Sequence, residues 1–249
     1  MELSPDQTTK LRDLMRVFLE ENQKLNLSAY REEETCWIGN VLDSVAAVSC
    51  FDGACPEGSV SSFGYAQDDS SIQSSRRAQH DTLKVIDIGT GGGFPLLPLA
   101  ILFPSIEFTG LDSTRKKIDA VQRIIDALQI PNVRLLLGRA EELGHDALHR
   151  EQYDLVLGRA VASLNTLLEL MSPFAKINGK LLCWKSLSIE EELTGSVHAG
   201  KQCMCRLSGQ HEYALPGDWG KRQILIYEKE KALPQEFPRE IGMPKKEPL

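Results

Sequence analysis

With 249 residues, the chain is long enough for one large domain, or one domain with a small appendage. Hydrophobic residues at 42%, charged residues at 25% and aromatics at 6% exclude collagen-like, wholly disordered and coiled-coil classes. A net charge of −7, from 28 Lys and Arg against 35 Asp and Glu, opposes holding nucleic acid by bulk electrostatics, so any such contact has to be local.

The longest mostly apolar stretch, Phe94 to Phe103, contains two prolines and is about half the roughly 20 residues that cross a bilayer, so no membrane role is expected. The opening MELSPDQTTK lacks the basic-then-apolar order of a secretory leader, and a cytoplasmic protein is expected. Cysteines 36, 50, 55, 183, 203 and 205 form no C-x-x-C pair, and no histidine stands at a zinc spacing. Reduced thiols and no metal site follow.

Leu11, Leu14, Met15, Phe18 and Leu25 recur at spacings of three, four and seven and predict an amphipathic first helix. Ser4, Pro5 and Gln7 supply its N-terminal cap. A second helix is predicted over about 32–48, with Trp37, Val41, Leu42 and Val45 inward. These form a small helical cap over 1–50. Residues 51–82 turn to Ser, Gly, Asp and Gln, too poor in apolar side chains to offset ordering, and read as a flexible loop.

From residue 83 strand-length apolar runs alternate with helical patterns. The strands are expected at 85–89, 106–112, 133–138, 153–158, 180–185 and 223–229, and the helices at 95–103, 115–129, 163–176 and 189–196. Such alternation implies a doubly wound, mostly parallel α/β sheet over 83–249, because each parallel connection needs a crossover.

The sharpest local signal is Asp87-Ile-Gly89-Thr-Gly91-Gly92-Gly93-Phe94-Pro95, between a strand and a helix. Glycines there let the backbone approach a ligand without a Cβ clash. Asp112 ends the next strand, where a carboxylate can accept hydrogen bonds from ribose hydroxyls. The dinucleotide fingerprint needs glycine at 94, where this chain has Phe94, and no Gly-Lys-Ser/Thr completes a P-loop. The pattern D-x-G-x-G-x-G over 87–93 resembles the first motif of S-adenosylmethionine-dependent methyltransferases.

The resemblance then narrows. DIGTGGGFPLLPLAI (87–101), LDSTRKKI (111–118), NVRLLLGRAEEL (132–143), LGRAVASL (157–164), YALPG (213–217) and FPREIGMPKKEPL (237–249) together resemble the RsmG, or glucose-inhibited division protein B, family. NLSA (26–29) and LDS (42–44) are similar to its N-terminal signature. That family comprises bacterial 16S ribosomal RNA (guanine-N7)-methyltransferases. The resemblance implies a seven-stranded sheet of the class I methyltransferase type and S-adenosylmethionine as cofactor. Carried onto this chain, it implies cofactor contacts at Gly89, Phe94, Ala140, Glu141 and Arg159. Gly91 fits the methionyl part, Asp112 and Ser113 the ribose, and Arg159 can pair with a carboxylate or a phosphate. Two departures stand out. Gly39 and Asn40 occupy the place of the family's usual Arg-His pair, and the 51–82 loop is longer than usual.

The motifs that are missing also bear on the reaction. Cys183 lies in an apolar strand and reads as a small hydrophobe, unlike a pyrimidine-C5 nucleophile. No Asn/Asp-Pro-Pro-Tyr follows YDLVLG. Guanine N7 carries a free lone pair, so alignment suffices and no acid-base residue is assigned. The target is then an unpaired or extruded base of 16S ribosomal RNA, or of an assembling small subunit. Lys185, Arg222, Arg239, Lys245 and Lys246, with Lys221, are the expected RNA contacts. No DNA partner is expected, and the protein is expected to act as a monomer. The alternatives are a class I methyltransferase with another RNA or small-molecule substrate, and a non-catalytic ribosome-assembly factor that keeps the pocket.

Overall fold

The structure is a computed structural model that describes residues 3–51 and 82–249. The flexible loop expected over 51–82 lies, apart from Phe51 and Thr82, outside the described residues. Phe51 itself is buried and stacks on Phe103, with centroids 4.8 Å apart.

Helix α1 (Pro5–Leu25) starts at the predicted cap: Ser4 Oγ accepts from the Gln7 amide, and the Gln7 side chain accepts from the Ser4 amide. It stops where Asn26 turns left-handed, with φ 52°. The second helical stretch is less regular than its periodicity implied. It begins as α2 (Glu33–Cys36), widens into a π-turn over Trp37–Leu42, continues as α3 (Asp43–Val45) and tightens into a 3-10 turn over Ala46–Phe51. Its buried residues include polar Asn40, Asp43 and Ser44 beside the expected Val41 and Val45.

The remaining elements alternate. They are β1 (Lys84–Ile88), α4 (Leu96–Leu102), β2 (Glu107–Asp112), α5 (Arg115–Leu128), β3 (Val133–Leu137), α6 (Ala140–Leu143), β4 (Tyr153–Arg159), α7 (Leu164–Met171), β5 (Ala175–Ser186), α8 (Glu190–Gln202), β6 (Cys205–Ala214), β7 (Lys221–Lys229) and α9 (Met243–Lys246). The sheet has seven strands in the order β3-β2-β1-β4-β5-β7-β6, all ladders parallel except those made by β7. Period-two alternation splits each central strand between two cores: Val85, Leu155, Leu157 and Leu182 face α1, α4 and α5, while Ile86, Val156, Leu181 and Cys183 face α7 and α8.

The six strand runs read from the sequence all correspond to strands. β6 escaped because it is an edge strand: Cys205–Ala214 alternates with polar residues, leaves one face to solvent and breaks register between Leu207 and Gly209. Helix α7 ends well before 176 because Pro173 removes a donor, and α8 continues past 196.

The sheet order reverses at β1, which pairs with β2 on one side and β4 on the other. The carboxyl ends of such strands open a crevice for a ligand. The cap helices and α4 share one core on this face of the sheet. Phe18 of α1 meets Phe94 edge to face at 4.8 Å, so α1 directly supports the glycine-rich turn.

Candidate functional site

The glycine-rich turn leaves β1 and folds back on β2. The amides of Gly89 and Thr90 both donate to Leu111 O, at 2.8 and 2.9 Å, and the Gly93 amide donates to Thr90 O. Gly89 and Gly91 take φ of +75° and +56°, a region that L side chains rarely adopt. The Gly91 amide donates to Asp112 Oδ2 at 3.0 Å, and the Thr114 amide donates to Oδ1 at 2.8 Å. Asp112 therefore faces the turn with its orientation set by two backbone donors.

Two cavities open here. The smaller, of about 270 Å³, is lined by Asp112 and Ser113 after β2, by Arg139, Ala140 and Glu141 after β3, and by Val161 after β4. The larger, of about 670 Å³, is lined by Gly91 and Phe94, by the cap residues Tyr30, Gly39, Asn40 and Asp43, and by Arg159, Lys185, Tyr213, Trp219, Lys221 and Arg222. Gly89, Lys117 and Ala160 border both. Ala160 is itself left-handed at φ 55°, a strained conformation for a residue with a Cβ, at the point where the cavities meet.

The residues present fit an S-adenosyl cofactor across this junction. A Cβ on Gly91 would find only Gly89 O, at 3.7 Å, so the turn leaves an open cradle. Asp87 Oδ2 and Thr90 Oγ1 are buried and have no hydrogen-bond partner among the described residues. Asp112 keeps further lone pairs beside the smaller cavity.

Burial pushes the Asp87 carboxyl up to about 7, with Asp112 adding to the rise and the Arg159 charge opposing it. Between the unfolded value of 3.8 and about 7, the native state holds a proton that the unfolded chain has lost. Stability therefore falls as pH rises through that window. Asp87→Asn removes the slope, so the stability difference moves in its favour by about 4 kcal/mol between pH 4 and pH 8, at roughly 1.36 kcal/mol per unit. Urea melts at the two pH values check this. Parallel curves for the two proteins would show that Asp87 titrates normally.

The expected site residues separate in the structure. Gly89, Asp112, Ser113, Ala140 and Glu141 surround the smaller cavity, and Gly89, Gly91, Phe94 and Arg159 the larger. The Glu141 carboxylate is committed: it accepts from Arg139 Nη2 at 2.8 Å and from the Gly242 amide at 3.1 Å. Burial raises its pKa, but Arg139 and the amides of Glu141 and Gly242 pull harder and leave it below the usual glutamate value. Arg159 is committed as well. Its guanidinium donates to Asp43 Oδ2 at 3.0 Å, to Asn40 Oδ1 at 2.8 Å and to the carbonyls of Gly39 and Asn40, tying the end of β4 to the cap.

Asp43, quoted in the sequence only as part of LDS, is the hub of this network. It is 1% exposed and accepts also from Tyr213 Oη at 2.7 Å and Arg222 Nη1 at 3.4 Å, while its carbonyl accepts from Trp184 Nε1. Burial and the Asp43 charge push the Tyr213 phenol far up, so it remains a donor. A signal was legible: Cys36, Asn40, Asp43 and Ala47 follow a four-three-four spacing and form a second inward stripe.

Of the expected RNA contacts, Lys185 and Arg222 line the larger cavity, but Lys185 donates to Glu192 Oε1 at 2.6 Å and to Ala162 O. Lys221 lines it without an ion pair among the described residues. Lys245 and Lys246 are exposed on α9 and line neither cavity. Arg239 is engaged in an ion pair. It holds fully buried Glu169 through two side-chain bonds of 2.8 and 2.7 Å and a backbone bond of 2.9 Å. Breaking a buried pair leaves a bare charge. Arg239→Ala is expected to cost about 3 kcal/mol in denaturant unfolding; a loss below 1 kcal/mol with a selective fall in RNA affinity would return it to the RNA surface.

Cys183 is buried and free, its thiol pushed up to about 12 by desolvation, and so offers no thiolate. No helix among the described residues is long and apolar enough to cross a membrane.

The chain is similar to known proteins over nearly its whole length. The GidB family model, described as rRNA small subunit methyltransferase G, matches residues 69–215. The ribosomal RNA small subunit methyltransferase G of Streptococcus suis (strain 05ZYH33) is 34% identical over 250 residues, covering 100% of this chain and 94% of that protein. The enzyme of the same name from Alkaliphilus metalliredigens (strain QYMF) is 35% identical over 247 residues, covering 99% and 92%. Among solved structures, a point mutant of MtNAS superposes with a TM-score of 0.53 at 12% identity, covering 87% of this chain and 71% of that one, a likeness of fold alone. By its match to the family model and to full-length relatives, the chain belongs to the GidB family of ribosomal RNA small subunit methyltransferases.

Proposed function

We propose that this chain transfers a methyl group from S-adenosylmethionine to N7 of a guanine in 16S ribosomal RNA, working in the cytoplasm as a monomer. The observation that carries the reading is the junction at Gly89, where a nucleoside-sized cavity holding Asp112 meets a larger, positively lined cavity. When bound, S-adenosylmethionine supplies an electrophilic methyl on a sulfonium centre. The chain's own part is positioning. Gly89 and Gly91 present backbone to the methionyl side, and Asp112 and Ser113 face the ribose. The Ala140–Glu141 turn borders the adenine side.

Guanine N7 as acceptor is supported by how the groups around the larger cavity are hydrogen-bonded. Asp43 is held by three side-chain donors, Tyr213 keeps its proton, and the other charged lining groups are Lys117, Arg159, Lys185, Lys221 and Arg222. N7 carries a free lone pair and needs no base. The same cations give an acidic chain one locally positive cleft for phosphates.

The test is transfer of labelled methyl from S-adenosylmethionine to immature 30S subunits and to naked 16S RNA, followed by nucleoside mass spectrometry. Label in 7-methylguanosine is the expected result. Label in another nucleoside, or in none, would overturn the reading.

A further inference from the structure

Tyr30, in the loop after α1, and Trp219, in the 3-10 turn between β6 and β7, meet at the wall of the larger cavity. Their ring centroids are 5.2 Å apart at an interplanar angle of 61°, so the edge of one ring supports the face of the other. Both rings rest on Gly39. A Cβ there would stand 2.4 Å from Tyr30 Cε2 and 2.8 Å from Trp219 Cζ3, so only glycine lets the pair close over this helix. The Gly39 carbonyl accepts from Arg159 Nη1 at 3.3 Å, which anchors the floor of the pair to the end of β4, beside the glycine-rich turn. Trp219 belongs to neither hydrophobic core and keeps part of its surface exposed, and Lys221 and Arg222, one residue further on, join it in the cavity lining.

An indole left partly exposed at the wall of a cationic cleft is a surface for a flat, uncharged ring attached to a phosphate chain. We infer that Tyr30 and Trp219 form the stacking site for an unpaired nucleobase of the RNA, with Lys221 meeting an adjoining phosphate. The inference rests on the proposed RNA substrate. Stacking on an aromatic face tolerates every base and holds a single-stranded segment flat, while phosphate contacts fix its register. Gly39 determines the subsite because its missing side chain is what brings the two rings together.

The test uses the full chain with naked 16S RNA and with an RNA hairpin carrying one unpaired guanine in its loop. Trp219→Ala is expected to raise the KM for RNA by about 10- to 100-fold, on the scale of one lost base stack. The dissociation constant for S-adenosylmethionine and the melting temperature stay within error, and Trp219→Phe recovers most of the loss. Either RNA quenches the tryptophan fluorescence of the wild type, and the quench disappears in Trp219→Phe, which keeps Trp37 and Trp184. An unchanged KM in Trp219→Ala, equal quenching in Trp219→Phe, or a parallel fall in melting temperature in both variants overturns the subsite. Quenching that persists without any methyl transfer to RNA would sink the methyltransferase reading and leave the subsite standing. Methyl transfer without quenching would do the reverse.

Discussion

Replacing Gly91 by Arg is expected to abolish S-adenosylmethionine binding while the chain still folds. The substitution places a side chain on a backbone at φ +56°, which costs about 1–2 kcal/mol in a left-handed conformation. A new Cβ meets nothing nearer than Gly89 O at 3.7 Å, so the turn need not unravel to receive it. The rest of the side chain has to run into the cradle, and its guanidinium arrives beside Asp112, the carboxylate that already accepts from the residue 91 amide. Both the space and the proposed ribose acceptor are then taken. Calorimetry is expected to show no binding, with a melting temperature lower by only a few degrees. An unchanged dissociation constant would move the cofactor away from this turn.

Asp43→Ala is expected to be the most destabilising single truncation at the site, at about 4–5 kcal/mol. The wild-type carboxylate is almost fully buried and receives Arg159 at 3.0 Å, Arg222 at 3.4 Å and the Tyr213 hydroxyl at 2.7 Å. Removing it leaves two guanidinium groups facing each other across the vacated position, one of them with a side chain only 16% exposed. Desolvated like charges repel, and the cap is the part free to give way. Because the larger cavity is lined from both the cap and the sheet, methyl transfer is expected to fall further than cofactor affinity. Urea unfolding and paired measurements of KM for RNA and affinity for S-adenosylmethionine check both halves. A stability loss below about 1 kcal/mol would mean that water replaces the carboxylate.

Much of the fold was legible because its signals are local. Strands buried on both faces need branched apolar runs, and VIDIG and YDLVLG become β1 and β4, on either side of the crevice. The turn after β1 needs positive φ at Gly89 and Gly91, so glycine has to be written there. The acid at the end of β2 is likewise a matter of spacing, and Asp112 stands against the turn. β6 was missed for the converse reason: an edge strand with one wet face carries no apolar run.

The sequence by itself determined the sheet class, the glycine-rich turn, the acidic partner of that turn and the family resemblance. Only the tertiary structure decided which charges are spent. Arg159 and Arg222 reach Asp43 across 116 and 179 residues of chain, and Arg239 reaches Glu169 across 70. Whether a cation is free for RNA depends on such partners and on the water excluded around them, and neither is encoded in its neighbours along the chain. The joining of Tyr30, Gly39 and Trp219 is of the same kind. Tyr30 and Trp219 carry no signal in the sequence and Gly39 only a departure from the family pattern, and the three become one surface only when the cap closes over the end of β4.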